Sequence, residues 1–317
     1  MKVLMATYQG ERYIRQQIDS ILGQTVGGIQ IVISDDLSKD GTRDVIEEYK
    51  RNYPDQILLL NNRKASNGAS ANFMRLLSWA LRETDEGDEY FFLSDQDDVW
   101  MPDKAQRMLD QMEELEKEWG KETPLLVHSD MKVSGQDLSE IHPSFFAYQH
   151  ISPERTALNQ LLVENPVTGG ASMFNRALLS YLDRQPRECF MHDWWLALLA
   201  SCFGRIGCVS QPLSCYRQHG GNTLGAQDSR EMGRYWKRFS REKNAQVKEN
   251  YRKMFAQASC LLELFSEELS GEQKELLRAF LRLPSAGLIE RAALIRRYHF
   301  EKNTWLGTAA QCFTMKQ

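Results

Sequence analysis

The sequence predicts an α/β fold with a mostly parallel central sheet flanked by helices, followed by a C-terminal helical extension. Three observations carry this expectation. Short apolar strand runs alternate with amphipathic helical runs over the first part of the 317 residues, which implies βαβ units. The run Tyr90-Phe91-Phe92-Leu93 leads straight into Ser94-Asp95-Gln96-Asp97-Asp98-Val99-Trp100. That is the pattern of a buried strand ending in an acidic loop, at the carboxyl edge where such sheets bind ligands. No segment reaches the 18 or more apolar residues of a membrane-spanning helix.

Taken in order, Lys2 to Thr7 reads as a strand, and Gly10 to Gln24 as a helix with Ile14, Ile18, Ile21 and Leu22 on one face. Ile29 to Ser34 is a second buried strand. A helix starts at Thr42 with Val45, Ile46 and Tyr49 inward. Gln56 to Leu60 is a third strand, Ala71 to Leu81 a helix, Tyr90 to Ser94 the fourth strand and Leu125 to Ser129 a later one. Asn165-Pro166-Val167-Thr168-Gly169-Gly170 makes a turn before a short strand. Asp193 to Phe203 is a strongly apolar helix, and Ile206 to Ser210 and Leu213 to Arg217 read as two further strands. From about Asp228 onward the pattern is helical only, with a break near Leu283-Pro284-Ser285. The expected units are therefore residues 1–228 and a helical extension, 229–317.

Charge divides along the same line. Residues 230–317 carry 17 Lys and Arg against 10 Asp and Glu, whereas residues 1–229 carry 22 against 33. Such asymmetry can mark an anionic partner surface. Met232-Gly233-Arg234-Tyr235-Trp236-Lys237-Arg238-Phe239 interleaves aromatics with cations, as interfacial segments do; the alternative is a solvated helical face. Met1 to Thr7 is too short for a signal peptide and runs directly into a strand. The six cysteines are scattered without a C-x-x-C pair, as in a reducing compartment. A cytoplasmic location follows, at the inner face of the plasma membrane if the extension docks there.

The glycine signatures of dinucleotide-binding and phosphate-loop proteins, G-x-G-x-x-G and G-x-x-x-x-G-K-[ST], are absent. What remains at the predicted strand ends is acidic: Asp35-Asp36 after the second strand, Asp95 to Asp98 after the fourth, and His192-Asp193 at a helix start. A carboxylate can accept the imide N–H of uracil or thymine. A hard divalent cation is the natural occupant of a carboxylate cluster, and Mg²⁺ is usually held by one or two carboxylates plus substrate phosphates. The cluster therefore points to a nucleotide-linked substrate. An acidic turn capping the helix that begins near Pro102 would look similar.

At this point the sequence resembles the inverting glycosyltransferases of family 2, which have the GT-A nucleotide-diphospho-sugar fold. The residues that carry the resemblance are Thr7-Tyr8, Gln24-Thr25, Ile31 to Asp36 with Ser38 and Asp40-Gly41-Thr42, Asn67-Gly68, and Asp95 to Lys104. It continues through Val167 to Gly170, His192 to Ala197 and Tyr216 to His219, and covers roughly residues 1–225. The wordings Ser-Asp-Gln-Asp-Asp-Val-Trp, Asn-Pro-Val-Thr-Gly-Gly and Met-His-Asp-Trp-Trp are similar to bacterial rhamnosyltransferases of cell-wall and capsular polysaccharide synthesis.

The resemblance implies a role for each matching position. Asp36 would read the pyrimidine N3–H, with Thr7 and Tyr8 beside the base. Asn67, Asp95, Gln96 and Arg217 would contact the nucleotide sugar. Asp97 and His219 would hold a divalent metal, Mg²⁺ or Mn²⁺. Asp193 would be the catalytic base, and Gly169, Gly170, His192, Trp194 and Trp195 would line the acceptor or sugar pocket. The implied donor is dTDP-L-rhamnose and the implied acceptor a lipid-linked saccharide; nucleic acid is not an expected partner. The extension would contact the membrane surface or a second subunit. Two positions depart from the family: Gln9 stands where asparagine is usual, and Leu37 where glycine is usual, implying that this loop needs no positive φ there.

Plainer roles exist for several of these residues. Asp193 would serve as a helix N-cap, His219 as a hydrogen-bonded loop histidine, Gly169-Gly170 as turn punctuation and both tryptophans as core. A helix start also pulls against the assigned chemistry of Asp193, because the helix dipole favours a charged, less basic carboxylate. Rival activities are a UDP-hexose-dependent transferase, a nucleotidyltransferase, and a non-catalytic nucleotide-sugar binder.

Overall fold

The computed structural model describes residues 1–66, 68–85, 87–220 and 241–315. Asn67, the Met232 to Phe239 segment and the expected boundary at 228/229 lie outside these residues. The first half runs β1 (Lys2–Thr7), α1 (Ile14–Leu22), β2 (Gln30–Asp35), α2 (Thr42–Asn52), β3 (Ile57–Leu59), α3 (Ala69–Glu83), β4 (Tyr90–Ser94), β5 (Val99–Trp100) and α4 (Lys104–Trp119). The second continues β6 (Leu125–Ser134), β7 (Glu140–His142), α5 (Phe145–Gln149), α6 (Leu158–Leu161), β8 (Ser172–Asn175), α7 (Arg176–Ser180), α8 (His192–Phe203) and β9 (Arg205–Arg217). Four helices close the chain: α9 (Arg241–Leu264), α10 (Gly271–Arg282), α11 (Leu288–Tyr298) and α12 (Trp305–Thr314).

One nine-stranded sheet runs in the order β3-β2-β1-β4-β8-β6-β9-β5, with β7 paired to β6. Strand side chains alternate between faces, and here each face feeds its own core. Leu4, Ala6, Val32, Phe91 and Leu93 pack with α3, α8 and the C-terminal helices. Val3, Met5, Ile31, Ile33 and Phe92 pack with α1, α2 and α4. Both faces are covered, which is why the middle of each of these strands is a continuous apolar run.

Register decides where the loops emerge. β1, β2, β3 and β4 are mutually parallel, with Thr7 opposite Asp35 and Met5 opposite Ser94. Their carboxyl ends therefore share an edge. β8 then enters antiparallel to both β4 and β6, so the sheet is mixed: parallel in its first half and across β6–β9, antiparallel around β8. This reversal places the start of β8, and the Gly169-Gly170 turn before it, beside the end of β4.

Two local expectations change. The two strands foreseen between Ile206 and Arg217 are one, β9, whose pairing with β6 shifts register around Asp130 and Pro212; proline lacks the N–H that a regular ladder needs. Leu37 does adopt positive φ, 62°, as does Gln9 at 52°. Hydrogen bonds hold this loop in spite of the Cβ. Asp35 accepts from Thr7 Oγ1 (3.0 Å), Ser38 Oγ (2.5 Å) and Ser38 N (3.0 Å), and Gln9 N donates to Ser38 Oγ at 2.9 Å. The side chain of Asp35 thus does what a glycine's conformational freedom would otherwise do.

Candidate active site

The loops after β1, β2 and β4 and the start of α8 converge on a cavity of about 600 Å³. Of the residues singled out in the sequence, Thr7, Tyr8, Asp36, Asp95, Gln96, Asp97, Gly169, His192 and Asp193 line it. Asp97 and Asp193 thus share one cleft, the first from the loop after β4 and the second from the first turn of α8.

At one end, Asp36 is 8% exposed; its Oδ1 accepts from Ser66 N at 2.5 Å and lies 3.6 Å from Arg75 Nη1. The Tyr8 ring stands out at 56% exposure, and its backbone is held on both sides by Gln96. Gln96 Nε2 donates to Tyr8 O and Gln96 Oε1 accepts from Tyr8 N, both at 2.8 Å. With its amide committed in this way, Gln96 ties the first loop to the acidic loop.

In the acidic loop, Asp97 Oδ2 meets His219 Nε2 at 2.7 Å, and the imidazole stacks on Tyr13 at 4.8 Å. Arg217 departs from its expected place. Its guanidinium donates to Asp97 O (2.7 Å), Gln136 O (2.6 Å) and Gln16 Oε1 (2.7 Å), its backbone N–H donates to Asp98 Oδ1 (3.2 Å), and it does not line the cavity. These donors brace the acidic loop against Gln16 and Gln136.

Burial pushes the carboxyls of Asp95 and Asp98 up from the usual range, and the neighbouring Asp97 adds to the effect. Asp98 Oδ2 is buried without a hydrogen-bond partner. The opposing charge is Lys104, fully buried, which donates to Gly170 O at 2.6 Å and sits 4.2 Å from the Trp100 ring centroid. Asp95 and Asp98 face one buried amine, itself lowered to about 7 by desolvation, with Asp97 beside them. A cluster whose carboxyl groups resist ionisation fits a cation that Asp97 and His219 would hold, because the added positive charge favours their ionised forms. Among the described residues no three His, Cys, Asp or Glu side chains form a closed cage. A metal shared with substrate phosphates needs only one or two protein ligands.

Asp193 sits in the first turn of α8, and Met191 rather than Asp193 occupies the cap position. Asp193 Oδ2 accepts from Gly169 N at 2.9 Å and Oδ1 from Trp194 N at 2.7 Å. Burial raises its pKa to about 6 despite these N–H groups. Desolvation thus outweighs the pull of the helix start and leaves the carboxylate more basic than a solvated one. His192 is 3% exposed and stacks on Phe73 at 3.9 Å; burial lowers it to about 3, so it is neutral.

The two glycines join these halves. A Cβ on Gly170 would fall 2.9 Å from Asp95 Oδ2 and 3.1 Å from Asp98 Oδ2; one on Gly169 would fall 2.8 Å from His192 Nε2. Any side chain here would displace a carboxylate or the imidazole, so the turn requires glycine for close approach. Gly170 itself lies behind the cavity wall. Trp195 is also removed from the site: it is fully buried in the core below α8, where an all-round apolar helix has no solvent face to offer it. Trp194 donates its indole N–H to Leu161 O at 2.6 Å and lines a neighbouring cavity.

Lys104 carried no role in the sequence reading. A signal was present: Lys104, Met108 and Met112 fall at i, i+4 and i+8, which places a lysine on the buried face of α4. Tyr13 and Gln16, which support His219 and Arg217, left no comparable mark.

Comparison with known proteins gives a family and similar folds. Residues 2–180 match the family model for glycosyl transferase family 2. The chain is 29% identical over 227 residues to the dTDP-rhamnosyl transferase RfbG of Shigella flexneri, covering 70% of this chain and 74% of that one. Other curated relatives are longer; the chain spans 59% of one and 61% of another. Among solved structures it is similar to S. aureus TarS 1–349 in complex with UDP-GlcNAc, with a TM-score of 0.56 and 15% identity over 99% of this chain and 83% of that one. It is also similar to the mannosyltransferase PcManGT from Pyrobaculum calidifontis in complex with GDP-Man and Mn²⁺, with a TM-score of 0.54 and 16% identity over 98% and 78%.

Proposed function

The chain belongs to glycosyl transferase family 2, and from that premise we propose that it transfers L-rhamnose from dTDP-β-L-rhamnose, with inversion, to a lipid-linked saccharide in cell-surface polysaccharide synthesis. The observation that carries this reading is the single cavity shared by Asp36, Asp97 and Asp193, which supplies base recognition, diphosphate anchoring and a proton acceptor in one space. The donor assignment is supported by the similarity to the Shigella dTDP-rhamnosyl transferase.

In this reading Asp36 accepts the pyrimidine N3–H while the exposed Tyr8 ring lies beside the base. Asp97 and His219 would hold a divalent cation, which would supply positive charge against the departing diphosphate. The acceptor hydroxyl oxygen attacks the anomeric carbon, the carbon–oxygen bond to phosphate breaks with its electron pair leaving on the diphosphate, and the hydroxyl proton passes to Asp193. Gly169 N–H and Trp194 N–H keep the Asp193 carboxylate aimed at that proton. A single displacement turns the β-linked donor into an α-linked product.

Residues 1–228 would form the transferase unit and 229–317 the extension. No helix among the described residues is long and apolar enough to cross a membrane; the basic extension suits peripheral attachment to an anionic lipid surface. A UDP-hexose donor is the second reading, favoured by the similarity to TarS, solved with UDP-GlcNAc. Mass spectrometry of products from dTDP-L-rhamnose, UDP-glucose and UDP-GlcNAc, each with lipid-linked rhamnose and N-acetylglucosamine acceptors, separates the two. Rhamnose addition abolished by EDTA is the expected result. Transfer from a UDP-sugar alone replaces the donor assignment.

A further inference from the structure

A second cavity of about 410 Å³ adjoins the first and shares Thr168, Met191, Asp193 and Tyr216 with it. Asp193 therefore stands in a common wall. Part of the far wall comes from the C-terminal helices: Val247, Asn250, Tyr251 and Met254 of α9, with Lys302 after α11.

We propose that this second cavity is the acceptor site, that it takes a pyranose ring of a saccharide, and that α9 and Lys302 form its selective outer wall. The inference rests on the glycosyl-transfer reading above and extends it to the extension, whose assigned role so far is membrane attachment. Three observations support it.

Position comes first. An inverting displacement needs the attacking oxygen and the leaving diphosphate on opposite sides of the anomeric carbon, with the base beside the attacker. A space across Asp193 from Asp36 and Asp97 meets that need.

The second is chemistry. Small-ligand sites are concave and mostly apolar with a few polar groups, in the range of about 300–1,000 Å³. Here the Trp194 indole is fixed by its bond to Leu161 O and packs 5.2 Å from Phe190, while the Lys302 ammonium lies 5.6 Å from the Tyr251 ring centroid. Aromatic rings present flat apolar faces to the C–H face of a sugar. Asn250, Thr168 and Lys302 supply hydrogen-bonding groups for its hydroxyls.

The third is rigidity. Tyr251, Met254, Phe255 and Leu261 share one core with Trp194 and Leu161. Phe190 N donates to Gln257 Oε1 at 3.3 Å, and Glu164 Oε2 accepts from Asn303 N and Nδ2 at 2.8 and 2.7 Å. The wall is anchored to both flanks of the cavity, so the space is formed before a ligand arrives.

The test uses saturation-transfer NMR on the full chain with octyl α-L-rhamnoside, octyl β-D-N-acetylglucosaminide, octanol and dTDP. Val247→Trp fills the cavity from a position 39% exposed, outside the buried core; Lys302→Ala removes the ammonium. The expected result is ring-proton saturation of at least one glycoside in the wild type, reduced at least tenfold in Val247→Trp and several-fold in Lys302→Ala, with dTDP signals kept in all three. Glycoside signals unchanged in both variants, signals from the octyl chain and octanol only, or no glycoside signal while dTDP binds would each overturn the acceptor assignment. Failure of the wild type to bind dTDP or any nucleotide sugar would instead strike the underlying reading.

Discussion

The donor cavity and the cavity beyond Asp193 are walled by different kinds of chain. The donor side draws on short loops at the ends of β1, β2 and β4, each directly continuous with the strand that positions it, with the start of α3 beside them. The acceptor side draws on segments as far apart as Phe145, Trp194, Tyr251 and Lys302. Asp193 belongs to both. On the donor side carboxyl groups are concentrated around Lys104, where the proposed reading adds a cation; on the other side one carboxyl group, Asp193, stands apart, and burial raises its pKa. In the proposed mechanism, anchoring a diphosphate is then a problem of accumulated charge, whereas activating a hydroxyl is a problem of desolvation.

The sharpest way to break this contrast is Asp193→Asn. General-base assistance is typically worth about 10²–10⁴ in rate, so kcat should fall by that factor while donor affinity, measured by calorimetry, stays within about twofold. The wild-type profile provides the companion reading. The base must be ionised and its pKa is raised to about 6, so kcat/KM should fall about tenfold per unit as pH drops below 6 and level off above it. A flat acid limb, or an Asn variant with full activity, would remove Asp193 from the chemistry.

Lys104→Met tests the donor side. The variant keeps volume but leaves Gly170 O without its donor and the carboxylates without their buried cation. An unsatisfied buried partner next to charge costs about 3 kcal/mol, readable as a lower midpoint in urea unfolding. A variant as stable as wild type would mean that the cluster is protonated or solvated in the folded chain.

The two glycines give the smallest and most discriminating effect. Gly170→Ala pushes on Asp95 and Asp98 and should raise donor KM. Gly169→Ala pushes on His192 and lies 3.6 Å from Asp193 Oδ2, so it should lower kcat with donor KM little changed. Both effects should be on the order of tenfold, about 1.4 kcal/mol. Identical kinetic signatures would show that the two sides are not separable.

The contrast also marks what could be read in advance. The first strands, the helices facing them and the loops holding Asp36, Asp97 and Asp193 were legible because each depends on periodicity and local order: an apolar run, then polar residues at its end. The acceptor pairing of Trp194 and Trp195 was not, because adjacent residues on an apolar helix point in different directions and only packing tells which one meets a cavity. The partners of Arg217 were hidden for a related reason. An arginine near a phosphate site and an arginine spent on backbone carbonyls have the same sequence environment, and Gln136, which takes one of its bonds, is 81 positions away. Leu37 shows the reverse case: a φ normally left to glycine is held by the Asp35 hydrogen bonds around it.

Sequence by itself determined the strand–helix alternation, the acidic loop at the sheet's carboxyl edge and the family. These follow from nearest-neighbour chemistry and from side-chain period. Tertiary structure decided that β8 runs antiparallel and so carries Gly169 and Gly170 between the two acidic stations, that Lys104 is buried against them, and that the C-terminal helices close the space across Asp193. Each of these depends on residues distant in the chain burying surface together, and no local pattern records which partner a buried face will find.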